Sequence, residues 1–221
     1  MTAGRDEFSG ETNSGGGHRG GARKLAVVAA GLSQPSSTRL LADRLTEATV
    51  RALEGIEVEV TVVELRDVAQ DVTNNLLTGF PSPRLDAAIQ AVTGADGLIA
   101  VTPIFTTSYS GLFKSFIDVL DPQSLAGMPV LLGATGGTER HSLAIDYAMR
   151  PMFSYLHAVA VPTGVYAASA DWGSEGGLSD RIERAASELA ALVRVSDRSQ
   201  QMRDPFALPE GFSPVGGYGA Q

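Results

Sequence analysis

The sequence predicts an α/β fold built on a doubly wound, five-stranded parallel sheet, in a single domain spanning about residues 23–195 of 221. Three observations predict it. Short continuous apolar runs end in turn residues at 24–31, 96–105 and 128–135, as strands buried on both faces do. Segments with apolar residues at helical spacing separate them. The two patterns alternate along the chain, so helices are available to cover both faces of one sheet.

KLAVVAAG (24–31) is the first strand. It leads into a helix with Leu40, Leu41, Leu45, Ala48 and Leu53 as its stripe, after Ser and Thr residues able to cap. IEVEVTVVEL (56–65) alternates as a second strand, 82–94 reads as a short helix, and DGLIAVTPIF (96–105) is the third strand. Phe113, Phe116, Ile117 and Leu120 give the next helical stripe, and MPVLLGAT (128–135) the fourth strand. Residues 141–157 are helical in pattern, with Pro151 predicting a kink or a helix–helix break. AVAVPTGVYAA (158–168) is the fifth strand, and 178–195 closes the domain as an amphipathic helix. Right-handed crossovers then give the flavodoxin-like strand order 2-1-3-4-5. Its switch point lies between strands 1 and 3, so the loops that begin at Gly31, Thr102 and Ala134 are those that carry chemistry.

Composition excludes several classes. With 17 Lys+Arg against 25 Asp+Glu and no basic run, the surface is not built to follow a nucleic-acid backbone. The absence of Cys removes disulfides, thiolate nucleophiles and thiolate metal sites. No apolar run approaches the roughly 18 to 20 residues of a membrane span, and a soluble cytoplasmic protein is expected. Of 25 Gly, seven lie in residues 1–22, a polar stretch expected to be disordered. Gly15, Gly17 and Gly20 there match G-x-G-x-x-G, but no strand precedes and no helix follows, so this is linker rather than a dinucleotide site.

The first loop gathers four hydroxyls, Ser33, Ser36, Ser37 and Thr38, at the start of a helix. The positive end of the helix dipole and the unpaired N–H groups there suit a phosphate monoester. No Lys follows as in a nucleoside-triphosphate loop, which argues against triphosphate hydrolysis. The alternative is ordinary N-capping, which needs one hydroxyl. The second loop, Thr102 to Gly111, presents Pro103 and Phe105 beside the switch point, a wall for a flat heteroaromatic ring or simply packing beneath the loop. Lys114 beyond it reads as a surface charge. The third loop has adjacent Gly136 and Gly137, which permit close backbone approach to a ligand, and His141 beyond it caps, packs or touches that ligand.

Gly31-Leu32-Ser33-x-Pro35-Ser36-x-Thr38, Thr102-Pro103-Ile104-Phe105 with Ser108 to Lys114 and Asp118, and Thr135-Gly136-Gly137-Thr138 with His141 together resemble the NAD(P)H-dependent FMN reductase family. The similarity is strongest to reductases that supply reduced FMN to two-component monooxygenases of the luciferase-like or sulfonate type. The resemblance implies FMN as cofactor and NADPH or NADH as co-substrate. It implies that Ser33, Ser36, Ser37 and Thr38 hold the FMN phosphate, that Pro103, Ile104, Phe105 and Thr106 line the ring and ribityl chain, and that Thr135, Gly136 and Gly137 border the isoalloxazine. It also implies a homodimer or homotetramer. Residues 196–221 then read as a tail or as an arm that packs on a second subunit or a monooxygenase.

Hydride transfer to a flavin needs stacked rings and excluded water more than a protein acid or base, so no catalytic side chain is expected. Two alternatives stay open: a quinone or azo reductase with bound FMN, and a non-catalytic flavin electron carrier. A Ser hydrolase is excluded because no G-x-S-x-G elbow is present.

Overall fold

A computed structural model describes residues 21–173, 177–196 and 198. The expected disordered N-terminal stretch, apart from its last two residues, and most of the expected C-terminal tail or arm lie outside them. The elements in order are β1 (Arg23–Ala29), α1 (Ser37–Ala52), β2 (Val58–Glu64), α2 (Ala69–Thr78), α3 (Pro83–Thr93), β3 (Gly97–Phe105), β4 (Ser108–Tyr109), α4 (Gly111–Asp118), β5 (Pro129–Gly136), α5 (Arg150–Tyr155), β6 (Val159–Ala160), β7 (Val165–Ala168) and α6 (Gly177–Val195).

The main sheet is parallel and runs β2-β1-β3-β5, with β6 and β7 both pairing β5 on its far side. Counting β6 and β7 as one interrupted strand gives the predicted order 2-1-3-4-5. The continuous apolar runs have a direct cause. In β1, Leu25, Val27 and Ala29 pack with α1 and α6 on one face, while Ala26 and Val28 pack with α2 to α5 on the other. Successive side chains point to opposite faces, and both faces are covered.

Several expectations are corrected. Leu40, placed in the α1 stripe, is 44% exposed, whereas Leu41, Leu45, Ala48 and Leu53 are fully buried. Helix α2 is an element that the sequence reading does not contain, because it carries no apolar stripe: Val72 is its only buried residue, and Leu76 and Leu77 are exposed. The fifth strand breaks around Pro162, where Arg150 donates to the carbonyls of Val161 (2.8 Å) and Pro162 (3.0 Å). The helical segment at 141–157 breaks next to Pro151, as its position in the sequence leads one to expect. A π-helical turn over Ile145–Met149 hands over to α5, and Pro151 sits in the first turn of α5, where its missing N–H costs nothing.

Candidate functional site

Three strand ends meet at the switch point. Ala29 of β1 pairs with Val101 of β3, and Pro103 of β3 pairs with Thr135 of β5, so the segments that follow open onto a common cleft of about 390 Å³. Ser33, Ser36, Ser37, Thr38, Pro103, Ile104, Phe105, Thr135, Gly136 and Gly137 all line it, together with Gly31, Leu32 and Ser169. Thr106 does not. It occupies a two-residue turn that joins β3 to β4, a short antiparallel hairpin that the sequence did not reveal.

The β1–α1 loop is built on close approach. A Cβ on Gly31 would lie 2.0 Å from Ser36 Oγ, so only glycine admits the capping serine at this point. Ser36 is the N-cap of α1, its Oγ accepting from the Arg39 N–H at 3.2 Å, and Ser33 Oγ donates to the Pro35 carbonyl at 3.0 Å. Ser37 is exposed. Thr38 turns inward instead: its Oγ1 shares a 2.8 Å hydrogen bond with Thr135 Oγ1, and both residues are buried. The first turn of α1 holds no acidic residue, so nothing there offsets the positive end of the helix dipole. Arg39 ion-pairs with Asp43 (2.7 Å) and Glu64 (2.5 Å). The hydrogen bond that it donates to Asp43 is the chief cause that raises its guanidinium above the ordinary range.

The second wall is the β3–β4 hairpin. Thr106 and Thr107 have φ of 48° and 67°, the left-handed values that a two-residue type I′ turn demands and that β-branched residues rarely adopt. The hairpin is clipped onto α4 by Thr102, which is fully buried and whose Oγ1 accepts from the Ser110 N–H at 3.0 Å; Ser110 in turn caps α4 through Phe113. Phe105 is left 48% exposed at the mouth of the cleft. Lys114, as expected of a surface charge, pairs with Asp118 at 2.5 Å.

The third wall depends on Tyr166 of β7. Its hydroxyl donates to the Thr138 carbonyl at 2.7 Å, and a Cβ on Gly136 would stand 2.0 Å from that hydroxyl. Burial, then Asp171, pushes the phenol above its ordinary range. His141 is not among the lining residues.

Two contributors escaped the sequence reading. Ser169 enters from the turn after β7, and inspecting every strand's carboxyl end would have found it. Arg66, just beyond β2, reaches the Ser33 carbonyl at 3.3 Å, a contact across 33 residues that no local pattern signals.

Known proteins similar to this chain include flavin reductases and an oxidoreductase. Over 172 residues the chain is 36% identical to an FMN reductase (NADPH) of Pseudomonas aeruginosa, covering 76% of this chain and 90% of that one. It is 37% identical over 174 residues to the NADH-dependent FMN reductase SfnF of Pseudomonas fluorescens, covering 76% and 91%. Among solved structures, an oxidoreductase of Corynebacterium diphtheriae superposes with a TM-score of 0.77 at 45% identity, over 79% of this chain and 98% of that one. The apo form of the NADH:FMN oxidoreductase EMOB gives 0.67 at 26% identity, over 76% and 87%. No helix among the described residues is long and apolar enough to cross a membrane. The model of the NADPH-dependent FMN reductase family matches residues 23–173, the stretch that contains all three walls of the cleft, and the chain belongs to that family of oxidoreductases.

Proposed function

We propose that this chain reduces FMN with NADPH or NADH in the switch-point cleft and passes the reduced flavin to a flavin-dependent monooxygenase, in the cytoplasm. The observation that carries the reading is convergence: ten of the eleven residues singled out from sequence line one cleft at three adjacent strand ends. The cleft fits the cofactor. Gly31 and Gly136 make room for the Ser36 and Tyr166 hydroxyls that shape two of its walls, and α1 offers unpaired N–H groups without a nearby carboxylate in its first turn.

Each wall has a role. Ser33, Ser36 and Ser37 with the first N–H groups of α1 bind the phosphate. Pro103, Ile104 and Phe105 form the apolar wall against the ring and ribityl chain, with Thr106 holding the turn that presents them. Gly136 and Gly137 border the ring, and the buried Thr38–Thr135 pair forms the floor. FMN held by these residues would supply the redox chemistry between a reduced nicotinamide and the final acceptor. The protein aligns the two rings and keeps water away, so no side chain needs to move a proton.

The test is loss of absorbance at 340 nm when the protein is mixed with FMN and either NADH or NADPH in air. Both coenzymes are needed, because the names of the relatives divide between them. Oxidation of neither overturns the reading. Supply to a partner is tested with a luciferase-like monooxygenase, whose product formation is expected to depend on this chain and on reduced nicotinamide.

A homodimer or homotetramer belongs to the same proposal. Leu143, Tyr147 and Tyr155 are 62%, 79% and 75% exposed on the segment around α5, and a second copy would cover them. A monomeric mass in solution would overturn this part.

A further inference from the structure

The phosphate loop from Gly31 to Thr38 contains no cation, yet two arginines meet on Glu64 beside it. Glu64, the last residue of β2, accepts from Arg39 Nη1 at 2.5 Å through Oε1 and from Arg66 Nη2 at 2.7 Å through Oε2. Arg66 then reaches back to the β1–α1 loop. Its Nη1 donates to the Ser33 carbonyl at 3.3 Å. With the Gln34 amide turned so that its oxygen faces these donors, that oxygen accepts from Nη1 at 2.8 Å and from Nη2 at 2.6 Å.

A guanidinium has five N–H groups. Four of those on Arg66 are taken by Ser33, Gln34 and Glu64, and Nε faces Asp67 at 3.6 Å. No donor remains for a ligand, so Arg66 acts through the loop. The Ser33–Gln34 peptide is trans. Its carbonyl is aimed at Arg66, which directs the Gln34 N–H the opposite way. Pro35 has no N–H, so Gln34 carries the last main-chain donor before the N-cap Ser36.

We propose that Arg66 is the positioning residue that makes this cleft select a flavin bearing a terminal phosphate over one without it. The inference rests on the flavin reading above. Its fork orients the Ser33–Gln34 peptide as an anion donor, while Glu64 and Arg39 keep the fork in place. Without it the loop relaxes, and the phosphate loses a charge-assisted hydrogen bond that riboflavin never makes. Charge alone does not replace it, because an ammonium cannot serve Ser33, Gln34 and Glu64 with one planar fork.

The experiment measures dissociation constants of FMN and riboflavin by flavin fluorescence for the wild type, Arg66→Met, Arg66→Lys and Gln34→Ala. The wild type is expected to prefer FMN, and Arg66→Met to lose about tenfold in FMN affinity with riboflavin affinity nearly unchanged. Arg66→Lys is expected not to restore the preference, and Gln34→Ala to reduce it. Binding of neither flavin by the wild type overturns the flavin reading itself. A wild type that binds both alike, an FMN-to-riboflavin ratio unchanged in Arg66→Met, or full rescue by Lys overturns the role of Arg66 alone. Should Arg66→Met fail to fold, Arg66→Lys and Gln34→Ala decide by the same ratio.

Discussion

Thr38 and Thr135, 97 residues apart, meet through a buried 2.8 Å hydrogen bond between their hydroxyls, which ties the start of α1 to the end of β5 beneath the cleft. Removing one partner strands the other. Thr38→Val is expected to cost about 1–3 kcal/mol, and the double change Thr38→Val with Thr135→Val less than the sum of the two singles. Urea unfolding of the three variants measures this; strict additivity would show that the bond contributes nothing.

Gly136 and Tyr166 exclude each other's alternatives. Gly136→Ala sets a methyl against the Tyr166 hydroxyl, and a loss of about 1–3 kcal/mol together with weaker flavin binding is expected. Adding Tyr166→Phe removes the clashing oxygen and should recover part of that loss. No recovery in thermal unfolding would place the strain elsewhere.

The Tyr166 phenol also sets a pH response. Its folded-state value lies above the ordinary 10.0, so the neutral form is favoured in the fold. That stability is complete below the unfolded value and declines as pH rises through the folded one. Above about pH 10, wild type should therefore lose stability more steeply than Tyr166→Phe. Parallel curves would contradict this.

Thr106 and Thr107 hold left-handed backbone at a cost that better turn residues avoid. Replacing them with Asn and Gly should stabilise the protein by about 1–2 kcal/mol. An unchanged or lowered melting midpoint would mean that the turn is not strained.

Phe105 is half-exposed at the mouth of the cleft, so its truncation separates binding from stability. Phe105→Ala is expected to weaken FMN binding about tenfold while unfolding shifts by less than about 0.5 kcal/mol. Unaltered binding would remove Phe105 from the ring wall.

The sequence made visible what depends on local periodicity. β1, β3 and β5 read as unbroken apolar runs because Leu25 and Ala26, or Leu98 and Ile99, feed opposite packed layers. It hid what depends on distance. Helix α2 buries only Val72 and so leaves no stripe, and the β4 hairpin rests on two threonines that propensity would not place in a left-handed turn. The four hydroxyls of the first loop were visible as a cluster, but the inward turn of Thr38 is decided by Thr135, and the reach of Arg66 by Glu64.

The cleft opens at the rim of the sheet, between loops that lead to α1 on one face and to α4 on the other. A molecule held there would bridge the segments that follow β1, β3 and β5, so its occupancy would be coupled to their cohesion. By mass action, flavin at a hundredfold excess over its dissociation constant would add about 2.7 kcal/mol to the resistance against unfolding. Cells poor in flavin would then hold this enzyme in its most fragile form, and its lifetime would track the supply of its own substrate.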